Sequence, residues 1–405
     1  MYLTNLKIKN IGPFREGEIE FACNTQSNEQ NPVTIITGMN GTGKSVIIDA
    51  IRAALSGQKL ERNIVAKPDD FYIKIDAVIN KELYHLSTSD AQFGYINTVD
   101  YLKIGKYLQS AYSENAPVQP WIIDYWSTRT PADSFSIKSI KSIDHKGLLK
   151  DVMLGNKRNV DLTNFLCHID YLRSSDVDSE KELGGMLYKV IKKTINLCLE
   201  NGTFKHIRRT DLQPIIEQNG HDVTLDKLSS GNLFLIEHIM LLLCKMYSLS
   251  VLLDIPPKNI LHSPGLLLID EIENHLHPRW QKSILGIIRS LFPNLQIILT
   301  THSPFILSSL PGIRIYTCKS EIGHSIIVDE TDTYSNMPVD EILLSDAFNV
   351  YPFNNEITEL MISRKKAVET GDNEKARTIA SKLSRINPEY FAYLDIENRI
   401  NTLKK

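Results

Sequence analysis

Apolar and polar residues alternate along most of the first third of the chain. Residues 1–22 alternate on both sides of a break at Gly12-Pro13, residues 71–88 do so around a polar turn at residues 80–82, and residues 121–126 add one short apolar run. Period-two alternation predicts strands with one buried face, and a tight break between two such runs predicts an antiparallel hairpin. We therefore expect a β-rich first third that contains two hairpins and a further strand.

A helical pattern interrupts these strands. Residues 46–55 carry apolar side chains at helical spacing, and residues 33–37 upstream form a β-branched run typical of a buried strand. Between them, residues 38–45 read Gly-Met-Asn-Gly-Thr-Gly-Lys-Ser and fit the phosphate-loop pattern at every fixed position. In this context backbone N–H groups and the positive helix end converge on phosphate oxygens. The pattern therefore predicts that the loop binds a nucleoside triphosphate. The alternative is a plain glycine-rich turn, which would require neither the strand before it nor the helix after it.

Individual residues of this loop receive predicted roles. Lys44 would reach the β- and γ-phosphates of ATP, and the Ser45 hydroxyl would hold Mg²⁺. The predicted ATP contacts in the loop are Asn40, Gly41, Thr42, Gly43, Lys44 and Ser45.

The second half of the chain predicts alternating strands and helices. An apolar strand over residues 265–271 ends in two carboxylates, a helix follows over residues 279–292, and residues 295–300 form a second apolar strand. Strand, helix and strand in this order indicate a parallel α/β unit. Two short strands are expected within residues 313–330, and the pattern is helical from residue 355 onwards.

The middle of the chain differs from both halves. Residues 134–225 predict irregular and helical segments, with helical periodicity clearest over residues 183–199. Between residues 138 and 209 there are 14 Lys and Arg against 9 Asp and Glu, although the whole chain of 405 residues has a net charge of −3. The basic excess permits contact with nucleic acid or an acidic partner, but a solvated basic surface is the commoner cause.

The remaining composition indicates a cytoplasmic protein. The five cysteines, an odd number without a C-x-x-C pair, fit a reducing compartment and offer no zinc site. The N-terminus lacks the pattern of a signal peptide. The most membrane-like run, residues 233–253, contains Glu237, His238 and Lys245, so we expect a helix buried within a domain and no membrane span.

Two carboxylates end the first apolar strand of the second half. Asp270 and Glu271 follow four apolar residues at the carboxyl end of a predicted parallel strand, where sites collect in such sheets. Asp270 would hold Mg²⁺, and Glu271 would orient and polarise the water that attacks the γ-phosphate. An acidic N-cap pair for the next helix explains these two residues equally well when they are taken alone.

Two weaker features complete the candidate site. His302 ends the next strand, where a histidine can donate to the γ-phosphate, although capping and core histidines are more frequent. Ser229, Ser230 and Gly231 stand at the start of a long helix, whose unpaired N–H groups can bind an anion. Serine-glycine helix starts are common, so neither feature predicts a site alone.

The four features in this order resemble the ATP-binding cassette (ABC) superfamily of P-loop NTPases. The corresponding motifs are Walker A at residues 38–45, the signature at residues 228–232, Walker B at residues 266–271 and the switch histidine at His302. With the patterns above, the resemblance implies an α/β fold with an ABC-type two-lobed head, an antiparallel β subdomain, a helical insert and a helical C-terminal appendix. It also implies ATP and Mg²⁺ as cofactors, Glu271 and His302 as catalytic residues, and a head-to-tail homodimer that encloses two ATP molecules.

The match is closer to the SMC–RecF-like branch than to transporter subunits. Residues 3–14 resemble the first hairpin of that branch, and residues 269–278 and 301–304 resemble bacterial ATPases related to the overcoming-lysogenization-defect family. Stand-alone ATPases of this kind resemble subunits of phage-defence systems of the Septu, PARIS and retron types, in which the ATPase holds a separate effector nuclease. The resemblance covers the ATPase halves, residues 1–130 and 226–330.

Some positions depart from the family pattern. The signature has Ser230 and Asn232 where many relatives carry Gly and Gln or Glu, which are mild changes at a site formed by the backbone. Relatives with their own nuclease carry a TOPRIM module, but residues 331–405 contain no spaced acidic cluster, so we do not expect DNA cleavage by that route. The glutamine that completes the Mg²⁺ shell is not assigned, and the candidates are Gln92, Gln109 and Gln119.

A string of polar residues loosely resembles an HNH nuclease. It comprises Asp144, His145, Asn156, Asn159, Asn164, Cys167 and His168. That fold needs its ligands around one metal, and polar loop sequence explains the string equally well. His275 and His277 are better explained as part of the loop after Walker B than as zinc ligands, because no further spaced ligand accompanies them.

These patterns divide the chain into four predicted segments. They are an N-terminal ATPase lobe at residues 1–133, the insert at 134–225, a C-terminal ATPase lobe at 226–330 and a helical appendix at 331–405.

The predicted function is an ATP-hydrolysing conformational switch, the sensor of an anti-phage complex that controls a separate nuclease. The alternative is a RecF- or SMC-like DNA-repair ATPase that acts on DNA ends or gaps. A transporter subunit would need a membrane partner, and the opening hairpin and the loop after Walker B argue against it.

Overall fold

The computed structural model describes most of the chain. The described residues are 1–23, 31–56, 62–88, 118–127, 137–149, 161–345, 348, 353–391 and 393–394. The chain divides into two compact units, Met1–Pro338 and Val339–Lys405.

A ten-stranded sheet organises the first unit. The strands of this unit are β1 (Tyr2–Ile11), β2 (Phe14–Glu20), β3 (Val33–Gly38), β4 (Tyr72–Ile79), β5 (Glu82–Thr88), β6 (Ile122–Trp126), β7 (Gly202–Arg208), β8 (Gln213–Gln218), β9 (His221–Thr224), β10 (Gly265–Ile269), β11 (Leu295–Thr300), β12 (Arg314–Glu321) and β13 (His324–Asp329). The order in the large sheet is β5-β4-β1-β2-β13-β12-β3-β11-β10-β6. Strands β12, β3, β11, β10 and β6 run parallel, whereas β1, β2, β4 and β5 pair antiparallel. The sheet therefore has a parallel half, with β3 between β11 and β12, and an antiparallel half.

Helices cover this sheet. Within the described residues, the α-helices of the first unit are α1 (Lys44–Ser56), α2 (His145–Leu148), α3 (Leu162–Leu172), α4 (Asp178–Leu197), α5 (Ser230–Leu253), α6 (Pro278–Leu291), α7 (Pro304–Leu307) and α8 (Thr331–Tyr334). Every residue of β3, β10 and β11 is buried, as expected for central parallel strands with both faces covered. Residues of β4 instead alternate between buried and more exposed positions. The structure confirms both predicted hairpins, the strand near residue 122 and the parallel strand–helix–strand unit.

The turn between β1 and β2 supports the phosphate loop. Gly43 of that loop has a φ of +101°, and a Cβ at this position would lie 2.6 Å from Pro13 and from the ring of Phe14. Glycine alone fits this close approach. The Phe14 ring is buried, so the first hairpin provides a fixed surface against which the loop rests.

The insert is not wholly helical, which corrects the prediction. Helices α3 and α4 are followed by a three-stranded antiparallel sheet in the order β7-β8-β9. The turn between β8 and β9 is Asn219-Gly220, with φ values of +52° and +82°. Asn-Gly with two positive φ values is typical of a type I′ hairpin, so this dipeptide is the sequence signal that indicates the hairpin of β8 and β9. A bulge between Phe204 and His206 breaks the alternation of β7, which hid the strand pattern.

Helix α5 is the long apolar helix, and most of it is buried within the first unit. By length and composition alone it could cross a membrane, but its burial identifies a core helix, as predicted. Its polar residues have partners inside the unit. Lys245 pairs with buried Asp124 of β6, and His238 Nδ1 lies 2.9 Å from the Phe234 carbonyl. The ion pair fastens the helix to β6.

The second unit is helical, as predicted for the end of the chain. It contains α9 (Val339–Leu344), α10 (Asn355–Glu369) and α11 (Asn373–Ile386). Asp372 caps α11 by accepting a hydrogen bond from the Lys375 N–H at 3.1 Å. A small apolar cluster forms its core and comprises Ile379, Ala380, Leu383, Phe391 and Leu394, with Phe353, Ile357, Leu360 and Met361 packed against them.

Ion pairs take up part of the basic excess of the insert. Buried Asp170 accepts hydrogen bonds from Arg173 Nε at 2.7 Å and from Arg209 Nε at 2.8 Å. Arg208 pairs with Asp211 at the surface. Contact between the remaining basic residues and nucleic acid stays a prediction.

We expect these two ion-pair sites to differ in their effect on stability. Asp170→Ala removes a buried carboxylate that two partly exposed arginines share, and it should lower the free energy of unfolding by about 1–3 kcal/mol. Asp211→Ala removes an Asp–Arg pair from the surface, where water screens it, and should leave stability nearly unchanged. Urea unfolding followed by circular dichroism measures both variants. If both variants lost the same free energy of unfolding, a structural role for the Asp170 ion pairs would be contradicted.

Candidate nucleotide-binding site

The phosphate loop connects the end of β3 to the start of α1. Gly38, the last residue of β3, lies against the Cys318 carbonyl of β12. Thr42 Oγ1 donates to the Met39 carbonyl at 2.8 Å and holds the loop in its turn. A Cβ at Gly41 would have no atom within 4 Å among the described residues other than Gly41 and its two chain neighbours. The loop is therefore closed towards β12 and open at Gly41.

Lys44 and the backbone give this loop an excess of hydrogen-bond donors. Lys44 Nζ donates to the carbonyls of Gly38 at 3.0 Å and Met39 at 2.9 Å, and burial lowers the pKa of its amine. The backbone N–H groups of Gly41, Gly43, Lys44 and Ser45 have no acceptor within the described residues. A triphosphate supplies the negative charge and the acceptor oxygens that this donor set lacks. The chemistry of the loop thus fits the predicted ligand.

Asp270, which follows β10, joins three elements. Its Oδ1 accepts hydrogen bonds from Ser45 Oγ of α1 at 3.0 Å and from Thr300 Oγ1 of β11 at 2.6 Å. Burial raises the pKa of Asp270, and the two hydroxyl groups partly offset this effect. Carboxylate and hydroxyl oxygens are ligands that suit Mg²⁺. Ser45 and Asp270 therefore have the chemistry expected of the predicted metal ligands.

Glu271 has an unusual backbone conformation. Its φ is +51°, in the left-handed region that a residue other than glycine occupies at a cost of about 1–3 kcal/mol. Its N–H donates to Thr300 Oγ1 at 2.8 Å, and its Oε2 accepts from Asn274 Nδ2 at 2.8 Å. The next helix begins at Pro278 with His277 as its N-cap, so the alternative explanation as an N-cap pair is wrong. Because such strain concentrates at functional sites, the geometry supports the predicted role of Glu271.

His302 lies directly after β11, the strand between β3 and β10. The carboxyl ends of these three parallel strands meet at one edge of the sheet, which brings His302 to the side of the phosphate loop. Burial lowers the pKa of the imidazole, the Lys44 cation lowers it further, and Glu271 acts in the opposite direction. A neutral imidazole at pH 7 carries one N–H that a γ-phosphate oxygen can accept.

Glu273 is a residue of this site that the sequence analysis missed. Its Oε2 accepts from Thr301 Oγ1 at 2.7 Å, and its Oε1 accepts from the backbone N–H of His302. Burial raises the pKa of its carboxyl. Among the carboxylates that raise the pKa of Lys44, Glu273 has a larger effect than Glu271. Glu273 lies within residues 269–278, but their resemblance to bacterial ATPases gives it no role, because its importance comes from contacts with a distant strand end.

The predicted signature residues lie at the start of α5. Ser229 is the N-cap of this helix, and both Ser229 and Ser230 are exposed. A Cβ on Gly231 would lie 2.5 Å from the His275 carbonyl, so the helix start packs against the loop that follows Walker B. The structure thus brings Walker A, Walker B and His302 together and leaves the signature start exposed beside the Walker B loop.

The structure removes one candidate for the glutamine of the Mg²⁺ shell. Strand β6 runs parallel to β10, with Trp126 beside Ile269 at the end that leads to Asp270. Gln119 precedes the opposite end of β6, at least about 13 Å away at the usual rise of a strand. It is therefore wrongly placed for a ligand beside Asp270. Four predicted residues lie outside the described residues: Gln92, Gln109, Asn156 and Asn159.

The HNH-like residues have structural partners. His145 Nδ1 lies 3.0 Å from Ser248 Oγ, and His168 Nε2 lies 3.2 Å from the Tyr247 hydroxyl. Among the described residues, no group of three His, Cys, Asp or Glu side chains is arranged to hold a metal ion. Hydrogen bonds within the fold thus account for His145 and His168.

Fold and site together define the class of this protein. A phosphate loop lies between a central parallel strand and a helix, and the two strands on one side of it end in the Walker B carboxylates and in a histidine. This is the arrangement of a P-loop nucleoside triphosphatase. A protein-family model described as "AAA domain, putative AbiEii toxin, Type IV TA system" matches residues 33–308. The chain belongs to this family of AAA ATPases.

Similar proteins agree with this assignment. "Retron Vc95 probable ATPase" of Vibrio cholerae serotype O1 biovar El Tor is 25% identical over 71% of this chain and 69% of its own length. "Septu protein PtuA" of Bacillus mycoides (strain KBAB4) is 23% identical over 95% of this chain, which spans half of the length of that protein. Among solved structures, the SMC head domain from Thermotoga maritima is 17% identical, with a TM-score of 0.44, and the match covers 81% of this chain and 99% of that one. The predicted resemblance to retron and Septu ATPases is confirmed, and the chain is an ATPase.

The roles of Lys44 and Glu271 can be separated by ligand-induced stabilisation. Lys44→Ala should weaken ATP binding, whereas Glu271→Gln should retain binding and block turnover. A ligand at about 100 times its Kd stabilises the folded state by about 2.7 kcal/mol. ATP with Mg²⁺ should therefore raise the melting temperature of Glu271→Gln clearly and that of Lys44→Ala little, as measured by thermal unfolding.

Lys192→Ala serves as the control, because Lys192 is exposed on α4. This variant should respond to ATP like the unmodified protein. Equal shifts in Lys44→Ala and Glu271→Gln would contradict the two assigned roles.

Proposed function

We propose that the protein is an ATP-driven conformational switch in an anti-phage defence complex, where it controls a separately encoded effector nuclease. The observation that carries this proposal is the junction at Asp270, which ties the Walker A helix to Thr300 at the end of β11. Glu271 and His302 stand at the two strand ends that this junction connects. Binding or loss of a γ-phosphate would thus affect the positions of α1 and of the ends of β10 and β11. The retron and Septu relatives support the setting in phage defence.

Each site residue has one task in this mechanism. Lys44 and the loop N–H groups would bind the phosphates, and Ser45 and Asp270 would hold Mg²⁺. The metal would supply positive charge that offsets the charge of the phosphates. Glu271 orients the attacking water and withdraws a proton from it, and the neutral imidazole of His302 donates to the γ-phosphate.

We further propose that two chains form each complete site. The loop is open at Gly41, so a γ-phosphate bound there remains accessible to bulk water on that side. The exposed start of α5, with Ser229 and Ser230, presents unpaired N–H donors of the kind that bind an anion. In a two-fold dimer, the α5 start of one chain covers the phosphate loop of the other. ATP then joins the two subunits, and its hydrolysis releases them.

Complementation between inactive chains tests the shared site. Lys44→Ala and Ser229→Arg should each be inactive, because either change damages both sites of a homodimer. In a mixed dimer, one site carries both lesions and the other carries none. With free exchange of chains, half of the dimers are mixed, so at most about a quarter of the original ATPase activity should return.

ATP-dependent dimerisation is measured alongside, by light scattering on Glu271→Gln, because sites that act only in concert would give no recovery. Full ATPase activity in Ser229→Arg, or in a strictly monomeric unmodified protein, would contradict the shared site. A mixture of Lys44→Ala with Lys44→Ala/Ser229→Arg is the matched control and should regain nothing.

The cellular role is tested by phage challenge. Cells that carry this gene and its neighbouring genes should lose protection when Lys44→Ala or Glu271→Gln is introduced, and their survival after DNA damage should not change. The alternative, a RecF- or SMC-like repair ATPase, gives the reverse result: sensitivity to DNA damage with unchanged phage titres. We propose the cytoplasm as the place of action, since all five cysteines are free thiols.

A further inference from the structure

The segment that carries His302 is fastened at three consecutive residues. Thr301 N–H donates to the Ile36 carbonyl of β3 at 3.1 Å, and Ser303 N–H donates to Thr301 Oγ1 at 2.9 Å. Between them, the N–H of His302 donates to Glu273. The Thr301 hydroxyl also donates to Glu273, at 2.7 Å. Glu273 is thus the side chain that holds both Thr301 and His302 from outside their own segment.

We propose that Glu273 is a positioning residue, which fixes the backbone of His302 so that the imidazole meets the γ-phosphate. The inference rests on the proposed function, in that it assumes the predicted role of His302. Each oxygen of the Glu273 carboxylate takes one donor, from two adjacent residues. Two such bonds fix the distance between the segment and Glu273, and they also restrict rotation of the segment. Hydrogen bonds to a charged acceptor are stronger than those between neutral groups.

The two glutamates of this loop differ in a way that separates their roles. Both oxygens of Glu273 accept hydrogen bonds from the histidine segment. Glu271 accepts from Asn274 on Oε2 only, which leaves its Oε1 without a donor among the described residues. An oxygen with no protein donor can bind a water molecule, whereas a carboxylate with both oxygens engaged serves as a support. Glu271 is therefore the catalytic residue, and Glu273 acts through His302.

A second contact supports the same segment. Ser303 Oγ donates to Gln281 Oε1 at 2.6 Å, and Gln281 Nε2 donates to the Leu276 carbonyl at 2.8 Å. The loop after Walker B is thereby connected to the histidine segment twice, directly through Glu273 and indirectly through Gln281. Because Gln281 remains in a Glu273 variant, loss of the carboxylate should shift His302 without unfolding the segment.

The kinetic test compares Glu273→Ala with Glu273→Gln. Alanine removes both bonds, and a misplaced catalytic group should lower kcat by about 10- to 100-fold. The KM for ATP should change by less than about threefold, because Lys44 keeps its bonds to the Gly38 and Met39 carbonyls and so its place in the phosphate loop. Glutamine can accept from the His302 N–H and donate to the rotated Thr301 hydroxyl, so it should restore kcat to within about threefold.

Two further variants show whether Glu273 acts through His302. Glu273→Ala/His302→Ala should have the same kcat as His302→Ala, since residues that act through one another are not additive. Asp161→Ala is the matched control. Asp161 also accepts from two neighbouring groups, the N–H groups of Thr163 and Asn164, at the start of α3. It should lower thermal stability and leave kcat unchanged.

A readout independent of turnover completes the experiment. In protein labelled at histidine Cε1, the NMR signal assigned to His302 should shift in Glu273→Ala and stay in place in Glu273→Gln and Asp161→Ala. An unshifted signal in Glu273→Ala would overturn the positioning role. So would an unchanged kcat in that variant, equal losses in the alanine and glutamine variants, or additive losses in the double variant.

The proposed function and this inference fail in different ways. If the unmodified protein does not hydrolyse ATP, or if His302→Ala retains full activity, the proposed mechanism is wrong. The NMR comparison still decides whether Glu273 holds His302 in place.

Discussion

The hydrogen bonds that Asp270 accepts from two hydroxyl groups are the constraint on which the site depends. One hydroxyl belongs to Ser45 on α1 and the other to Thr300 on β11, so a single carboxylate at the end of β10 fixes three elements. Thr300 Oγ1 also accepts from the N–H of Glu271 and thereby holds its left-handed backbone. Hydrogen bonds to a charged group contribute about 1.5–3 kcal/mol each when buried. The phosphate loop, the carboxylate of Glu271 and the strand before His302 consequently share one fixed point.

The parallel half of the fold and most of the site could be predicted because their signals are local. Strands such as β3 and β10 are continuous apolar runs, and the phosphate loop is a contiguous string with its own flanks. Glu273 lies in such a string, at residues 269–278, but its role has no local signal. Its partners Thr301 and His302 are 28 and 29 residues away in the chain, and the bond between them exists only once β10 and β11 lie side by side.

The predictions that failed were those that depended on strand direction or on distant pairing. Gln119 was a reasonable metal ligand until the parallel pairing of β6 placed it at the wrong end of the sheet. The basic excess of the insert includes Arg209, whose charge is paired with Asp170, 39 residues earlier in the chain. In the insert, the local Asn219-Gly220 signal for a hairpin was present, whereas the broken alternation of β7 favoured a helical interpretation. Charge counts and periodicity average over a segment and cannot resolve such individual contacts.

The left-handed backbone of Glu271 has a consequence for the evolution of this protein. A glycine at this position would relieve the strain and, by that measure alone, give a more stable chain. Yet glycine has no carboxylate, so the residue that best suits this turn cannot activate water as we propose for Glu271. Selection for heat resistance and selection for turnover therefore act in opposite directions at residue 271. Stabilised homologues that keep the glutamate must gain their stability elsewhere in the chain.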